Sequence, residues 1–196
     1  MHDSTLSWLP RNCPSTRTFK RRDYIPLREA TLWHIRSGAV RLLTIAEDGS
    51  IITLGFWGTG DLVGRPLACI QPCQIECLTN VEAMPLHAHQ CQDLNQVMLD
   101  HISQMQELIR IRHGPIAQRL RLLLDWLAVK FGQPTEQGHL ITLRLTHQQI
   151  AEVVGTSRVT VTRWLSEQER DNVIHYSRKQ CITLQNYDPR TLVSGF

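Results

Sequence analysis

The chain has 196 residues, 42% of them hydrophobic, which suits one large or two small domains with real cores. No apolar run approaches the roughly 20 residues needed to span a bilayer. Residues 1–22 lack the apolar core of a secretory signal, so the expected location is the cytoplasm, with no membrane partner. The six cysteines (Cys13, Cys69, Cys73, Cys77, Cys91, Cys181) are then expected as reduced thiols. The net charge of +3 says little until it is divided along the chain. Residues 1–114 hold 11 Lys/Arg against 11 Asp/Glu, and residues 115–196 hold 10 against 7. The whole positive excess therefore sits in the C-terminal part, as a phosphate-binding surface would place it.

From about Arg17 to His89 the pattern predicts short strands. Leu32 to Trp57 alternates apolar and polar residues, broken at hairpin spacing by Gly38 and by Glu47-Asp48-Gly49. Gly58, Gly60 and Gly64 mark another tight connection, and Val81 to Leu86 reads as a closing strand. Many short strands with regularly spaced turns point to an antiparallel sandwich or jelly roll over residues 1–91.

The character changes near Gln90. Residues 93–112 contain no Gly or Pro, and Leu94, Val97, Met98, Ile102, Met105, Leu108 and Ile109 recur at three-and-four spacing. That pattern predicts a long helix within residues 92–114. So long a stripe exceeds what a small sandwich covers, so these seven residues are expected to form a dimer seam. Gly114-Pro115 ends the helix. A second helix is expected from Ile116 to Phe131, then a linker (GQPTEQGH) and a short strand from Leu140 to Leu145.

Residues 146–165 carry the most specific signal. Ala151 lets two helices pack closely, Gly155 falls at a turn needing positive φ, and Val161 faces Ile150 and Val154 across the pair. This is the spacing of a helix-turn-helix. Asn172 to Tyr176 and Gln180 to Leu184 flank Ser177-Arg178-Lys179, as in the basic-tipped wing of a winged helix. The fold class is therefore α+β: a jelly roll, a long dimerisation helix, and a winged helix-turn-helix over residues 115–196.

On a second helix beginning near Ser157, Arg158, Val159, Thr162 and Arg163 share one face, while Val161, Trp164 and Leu165 turn inward. That face is the candidate base-reading surface. Arg158 can offer two donors to a guanine O6 and N7, and Arg163 can reach a second base edge or a phosphate. Val159 has no hydrogen-bonding group and is limited to a thymine methyl or shape. Thr146, His147, Gln148, Ser157, Thr160, Arg178 and Lys179 are the candidate phosphate contacts, which fix register without reading sequence.

The order of these parts resembles the bacterial family of catabolite-activator and fumarate/nitrate-reduction (Crp/Fnr) regulators. The likeness rests on Ile35-Arg36-Ser37-Gly38 with Val40, on Glu47-Asp48-Gly49, on Gly60-Asp61-Leu62-Val63-Gly64, and on residues 145–174. The recognition segment Thr156 to Arg163 is similar to that of cyanobacterial nitrogen-control regulators. The resemblance implies a homodimeric transcription regulator on a two-fold symmetric operator, with RNA polymerase a candidate partner. Family members with a Glu at the Val159 position accept from a cytosine, so this chain is not expected to share their operator.

The cyclic-nucleotide members hold ribose with a glutamate after the Gly-Asp-Leu/Phe-x-Gly turn and phosphate with an arginine some ten residues on. Here those positions fall on Arg65 and near Gln71 or Pro72, so cyclic AMP is not expected to bind. The cluster-bearing members use several N-terminal cysteines, and only Cys13 stands there. A small anionic effector remains a candidate, Arg65 being one basic group for it. No cofactor is assigned.

Three alternatives stand beside the regulator. Cys69, Cys73 and Cys77, spaced C-x3-C-x3-C, are candidate ligands for zinc or a thiol sensor. A cupin-like metal enzyme would use His34, His87 or His89, although no H-x-H-x₃₋₄-E cluster is present. The third is a regulator that needs no ligand, controlled by its own abundance.

Overall fold

The structure is a computed structural model in which residues 15–177, 181–185 and 187 are described. It divides into two compact units, one up to Met105 and one from Gln106.

Among the described residues, the first unit contains eight strands: β1 (Arg17–Phe19), β2 (Tyr24–Ile25), β3 (Thr31–Ser37), β4 (Val40–Ile45), β5 (Ile51–Trp57), β6 (Leu62–Gly64), β7 (Gln74–Cys77) and β8 (Val81–His87). They form two antiparallel four-stranded sheets, ordered β1-β8-β3-β6 and β2-β7-β4-β5. The alternation read in the sequence suggests strands buried on one face, but Leu32 to Ile35 of β3 and Val40 to Thr44 of β4 are buried on both faces. Trp33, Ile35, Val63 and Ala83 from one sheet meet Val40, Leu42, Trp57 and Ile75 from the other. Gly38 makes the β3–β4 turn at φ 90°, and a Cβ there would collide with the Asn80 carbonyl.

Helix α1 (Leu94–Ile111) follows. Its start covers the outer face of the β1-β8-β3-β6 sheet: Leu94 and Val97 pack on Leu32, Leu62, Met84 and Leu86. His101, one turn on, is hydrogen-bonded through Nε2 to the Leu62 carbonyl (2.8 Å) and stacks on Trp57. Gln104 accepts from the Phe56 amide. The inner edge is therefore Leu94, Val97, His101, Gln104, Leu108 and Ile111, at three-four spacing, the last four being buried. A second row, Met98, Ile102, Met105 and Ile109, runs beside it. Met98, Ile102 and Ile109 stay 45%, 44% and 61% exposed.

Three of the seven residues expected as a dimer seam have partners within the chain. Leu94 and Val97 pack on their own sheet, and Leu108 is buried within the chain. Two polar residues, His101 and Gln104, complete the inner row and concealed it in the hydrophobic pattern. Leu99, 58% exposed, is a further apolar residue on the outer side.

The second unit holds α2 (Ile116–Phe131), β9 (Gly132–Thr135), β10 (Gly138–Ile141), α3 (His147–Val154), α4 (Arg158–Arg170), β11 (Ile174–Tyr176) and β12 (Ile182–Leu184). The four strands form one antiparallel sheet, ordered β11-β12-β10-β9. The segment read as a linker is a hairpin instead. Pro134 is tolerated because β9 is an edge strand, where one amide faces away from the ladder. The strand expected to reach Leu145 ends at Ile141. The core joins Leu120, Leu123 and Leu127 of α2 to Ile150 and Val154 of α3 and Val161 and Leu165 of α4, all buried.

Candidate nucleic-acid interface

Local chemistry fixes both ends of α3. Thr146 caps its start: the Thr146 hydroxyl accepts from the Gln149 amide (3.2 Å), and the Gln149 side chain accepts from the Thr146 amide (2.9 Å). Gly155 closes it in the left-handed conformation (φ 72°, ψ 55°), donating its amide to the Ala151 carbonyl at 2.9 Å. Two residues later Ser157 caps α4, accepting from the Thr160 amide at 3.1 Å. The expected turn glycine and the expected start of the second helix are thus both found.

The carbonyl end of α3 is satisfied from outside the helix. Arg112 donates from Nε to the Val153 carbonyl (2.8 Å) and from Nη2 to that of Glu152 (3.0 Å). Arg119 donates to the Val154 carbonyl (3.2 Å) and to that of Gly114 (2.7 Å). Burial lowers the Arg112 pKa from its ordinary value. Neither arginine was identified from the sequence. The only signal was negative, a last turn of α3 with no basic residue of its own.

The burial of α4 is one-sided. Val161 and Leu165 are buried and Trp164 is half-buried, whereas Arg158, Val159, Thr162 and Arg163 are exposed. Val159 is 77% exposed, unusual for a residue with no polar group. The four candidate base readers therefore lie on one outward face. Beside this face, Arg144, Leu145, Thr146, His147, Gln148, Arg158 and Tyr176 line an open cleft of about 670 Å³. Two guanidinium-bearing residues and the start of a helix in one cleft suit an anion.

Several of the side chains predicted to touch phosphates are hydrogen-bonded within the protein. Gln148 donates to Glu152 (3.2 Å), and the Ser157 and Thr160 hydroxyls lie 2.9 Å apart. His147 is bonded through Nδ1 to Thr162 Oγ1 (2.8 Å) and through Nε2 to the Tyr176 hydroxyl (3.3 Å). Burial, then the neighbouring Arg158, holds the His147 pKa below the ordinary imidazole value. Burial, then Glu169, pushes Tyr176 up to about 12. Arg178 and Lys179, the expected basic wing tip, lie outside the described residues; Ser177 donates its amide to the Cys181 carbonyl (2.9 Å).

The cysteine and histidine candidates do not converge. Cys69 is exposed, Cys73 half-buried, and Cys77 sits in the jelly-roll core, where burial raises its thiol to about 12. Cys13 lies outside the described residues. The His87 and His89 rings lie tilted at 45° with centroids 4.1 Å apart, and His34 is buried on β3. Among the described residues, no group of three or more His, Cys, Asp or Glu could hold a metal ion. Arg65, the candidate anion group, turns its Nη1 back onto the Ala68 and Ile70 carbonyls (3.0 and 3.4 Å).

A two-sheet jelly roll, a long helix and a helix-turn-helix with an adjoining wing define a class of bacterial transcription regulator. Comparison with known proteins gives the same answer. Residues 118–188 match the model of the Crp-like helix-turn-helix domain. The chain is 39% identical over 182 residues to the regulatory protein CysR of Synechococcus elongatus, covering 88% of this chain and 86% of that protein. It is 31% identical to the global nitrogen regulator of a Synechocystis species, covering 79% and 76%. Among solved structures, a CRP-family transcriptional regulator from Thermus thermophilus superposes with a TM-score of 0.69 at 23% identity, over 91% of this chain and 95% of that one.

The chain belongs to the Crp/Fnr family of transcription regulators. It is a DNA-binding transcription regulator, and the cupin-like enzyme reading is set aside. No described helix is long and apolar enough to cross a membrane.

Proposed function

We propose that the protein acts in the cytoplasm as a homodimer on a two-fold symmetric operator, each protomer laying α4 in a major groove. The observation that carries this reading is the one-sided exposure of α4 beside the cleft at the start of α3. Arg158 reads a guanine through two donors, Arg163 a second base or a phosphate, and Val159 a thymine methyl. Thr146, Gln148, Ser157 and Thr160 border the backbone track, with Arg178 and Lys179 reaching it from the wing. The outer row Met98, Ile102, Met105 and Ile109, at the four-three-four spacing of a coiled-coil seam, joins the two copies. RNA polymerase is a further candidate partner.

Cyclic AMP is not the signal. Arg65 stands where the ribose-binding glutamate would be, and its Nη1 donates to carbonyls of its own loop. The jelly-roll interior is packed with Trp33, Trp57 and their neighbours. Selection of operator DNA from random duplexes, with and without cyclic AMP and small dicarboxylates, tests the whole reading. The expected outcome is a palindrome with half-site centres about 10 base pairs apart, or a multiple of that spacing, unchanged by cyclic AMP. An asymmetric site, or one that appears only with cyclic AMP, would overturn it.

A further inference from the structure

We propose that His147 is a positioning residue for DNA reading: as the Nδ1–H tautomer it ties the wing strand, the first turn of α3 and the exposed turn of α4 into one hydrogen-bonded chain, and it leaves Thr162 able to accept from a base but not to donate to one. The part of this that concerns DNA rests on the function proposed above.

The assignment follows from counting hydrogens. Thr162 Oγ1 lies 2.9 Å from the Arg158 carbonyl, which can only accept, so the one hydroxyl hydrogen of Thr162 is committed there. Thr162 Oγ1 must then accept from His147 Nδ1, 2.8 Å away, and Nδ1 must carry the ring hydrogen. In the neutral ring Nε2 is an acceptor, and the Tyr176 hydroxyl, 3.3 Å away, donates to it. Every hydrogen in the chain Tyr176–His147–Thr162–Arg158 is used once.

Two consequences follow for recognition. The Thr162 side chain is held by its bond to the Arg158 backbone carbonyl, and through His147 this exposed turn of α4 is keyed to β11 of the wing. Thr162 offers the groove a lone pair and a methyl group. Those suit the amino group of adenine or cytosine, or the thymine methyl, and not the O6 and N7 acceptors of guanine.

The chain also senses charge. The groups facing His147 are Arg158 on α4, Arg144 ahead of α3, and Tyr176 on β11, with Glu169 of α4 beside Tyr176. Protonation of His147 makes Nε2 a donor and Tyr176 the acceptor, so one link reverses and a positive charge joins the cleft. A phosphate docked in the cleft favours that form. Operator affinity then rises as pH falls through the His147 titration.

Ring nitrogen NMR of the free full-length protein near neutral pH should show His147 Nδ1 protonated and Nε2 bare. The opposite tautomer, or a mixture, overturns the chain. With the selected operator, His147→Ala should lose about tenfold in affinity, while binding to random duplex changes much less. His147→Asn keeps a donor toward Thr162 and should recover most of the loss. Equal loss on operator and random DNA would make His147 a plain phosphate contact. His147→Asn as damaged as His147→Ala, or with the pH slope of the unmodified protein, would also overturn the proposal. Should the unmodified protein select no operator, the DNA-reading role falls with the proposed function, and the ring spectra still decide the hydrogen-bonded chain.

Discussion

Arg112, just past the last turn of α1, donates from Nε to the carbonyl of Val153, 41 residues later, at 2.8 Å. With its Nη2 on Glu152 it satisfies two carbonyls at the end of α3 that no residue of that helix could reach. The residue that ends the long helix is thus also the C-terminal cap of the first helix of the DNA-binding motif.

Arg112→Ala is therefore expected to destabilise the second unit by about 1–3 kcal/mol, the loss of two charge-assisted bonds from a half-buried site. Urea unfolding of the full chain measures it. Arg112→Lys, which cannot span both carbonyls, should fall between. A loss no larger than that of an exposed control such as Arg163→Ala would show that the cap contributes nothing.

Arg158→Ala is expected to cost about 1–3 kcal/mol of operator binding and to relax one base position in each half-site. Competition binding against operators substituted base by base gives both numbers. If random DNA loses the same amount, Arg158 touches only the backbone.

The two rows of α1 predict opposite phenotypes. Ile109→Asp, on the 61% exposed outer row, should yield a folded monomer with weakened operator binding. Leu94→Asp, on the sheet-covering inner row, should destabilise the jelly roll by several kcal/mol, at the order of a charge buried without a partner. Sedimentation and thermal melting separate them. A dimer that survives Ile109→Asp would move the seam elsewhere.

Gly155→Ala is expected to cost about 1–2 kcal/mol, the penalty of a Cβ at positive φ. Space is not the obstacle, since the nearest atom to an added Cβ is Arg119 Nη1 at 3.9 Å. Gly38→Ala, where the same φ penalty adds to a collision with the Asn80 carbonyl, should be clearly worse. Equal melting temperatures for the two variants would contradict this ordering.

Two histidines make stability fall in mild acid. Burial, then Arg36, lowers the pKa of His34, with Asp61 opposing, and burial and Arg158 lower that of His147. Below the ordinary imidazole value of about 6.5 the unfolded chain binds more protons at these sites than the folded one. Their contribution is therefore complete above that pH and lost as pH falls toward the folded pKa values. Urea midpoints measured across this range should drop toward acid, and His147→Asn should flatten part of the slope. A midpoint that rises on acidification would reverse the assignment.

What could be read directly from the chain was whatever is encoded within a few residues. The bounds of α2, the start of α4 near Ser157, the left-handed Gly155 and the outward face of α4 each follow from a local periodicity or a single backbone requirement. So does the strand character of β3 to β5. The local signal misled where its meaning depended on a distant partner. Residues 132–135 look like a linker because Gly and Pro break the pattern, and they become a strand only because β10 offers an edge. The apolar stripe of α1 averages two rows that only packing on Leu32, Met84 and Leu86 separates.

The bonds that position the reading surface lie still further outside sequence logic. Arg112 to Val153, and Tyr176 through His147 to Thr162, join groups 15 to 41 residues apart. A sequence states which side chains can donate and accept. Which donor meets which acceptor is settled when separate elements pack, because hydrogen bonds depend on ångström-scale distance and direction that no residue spacing records.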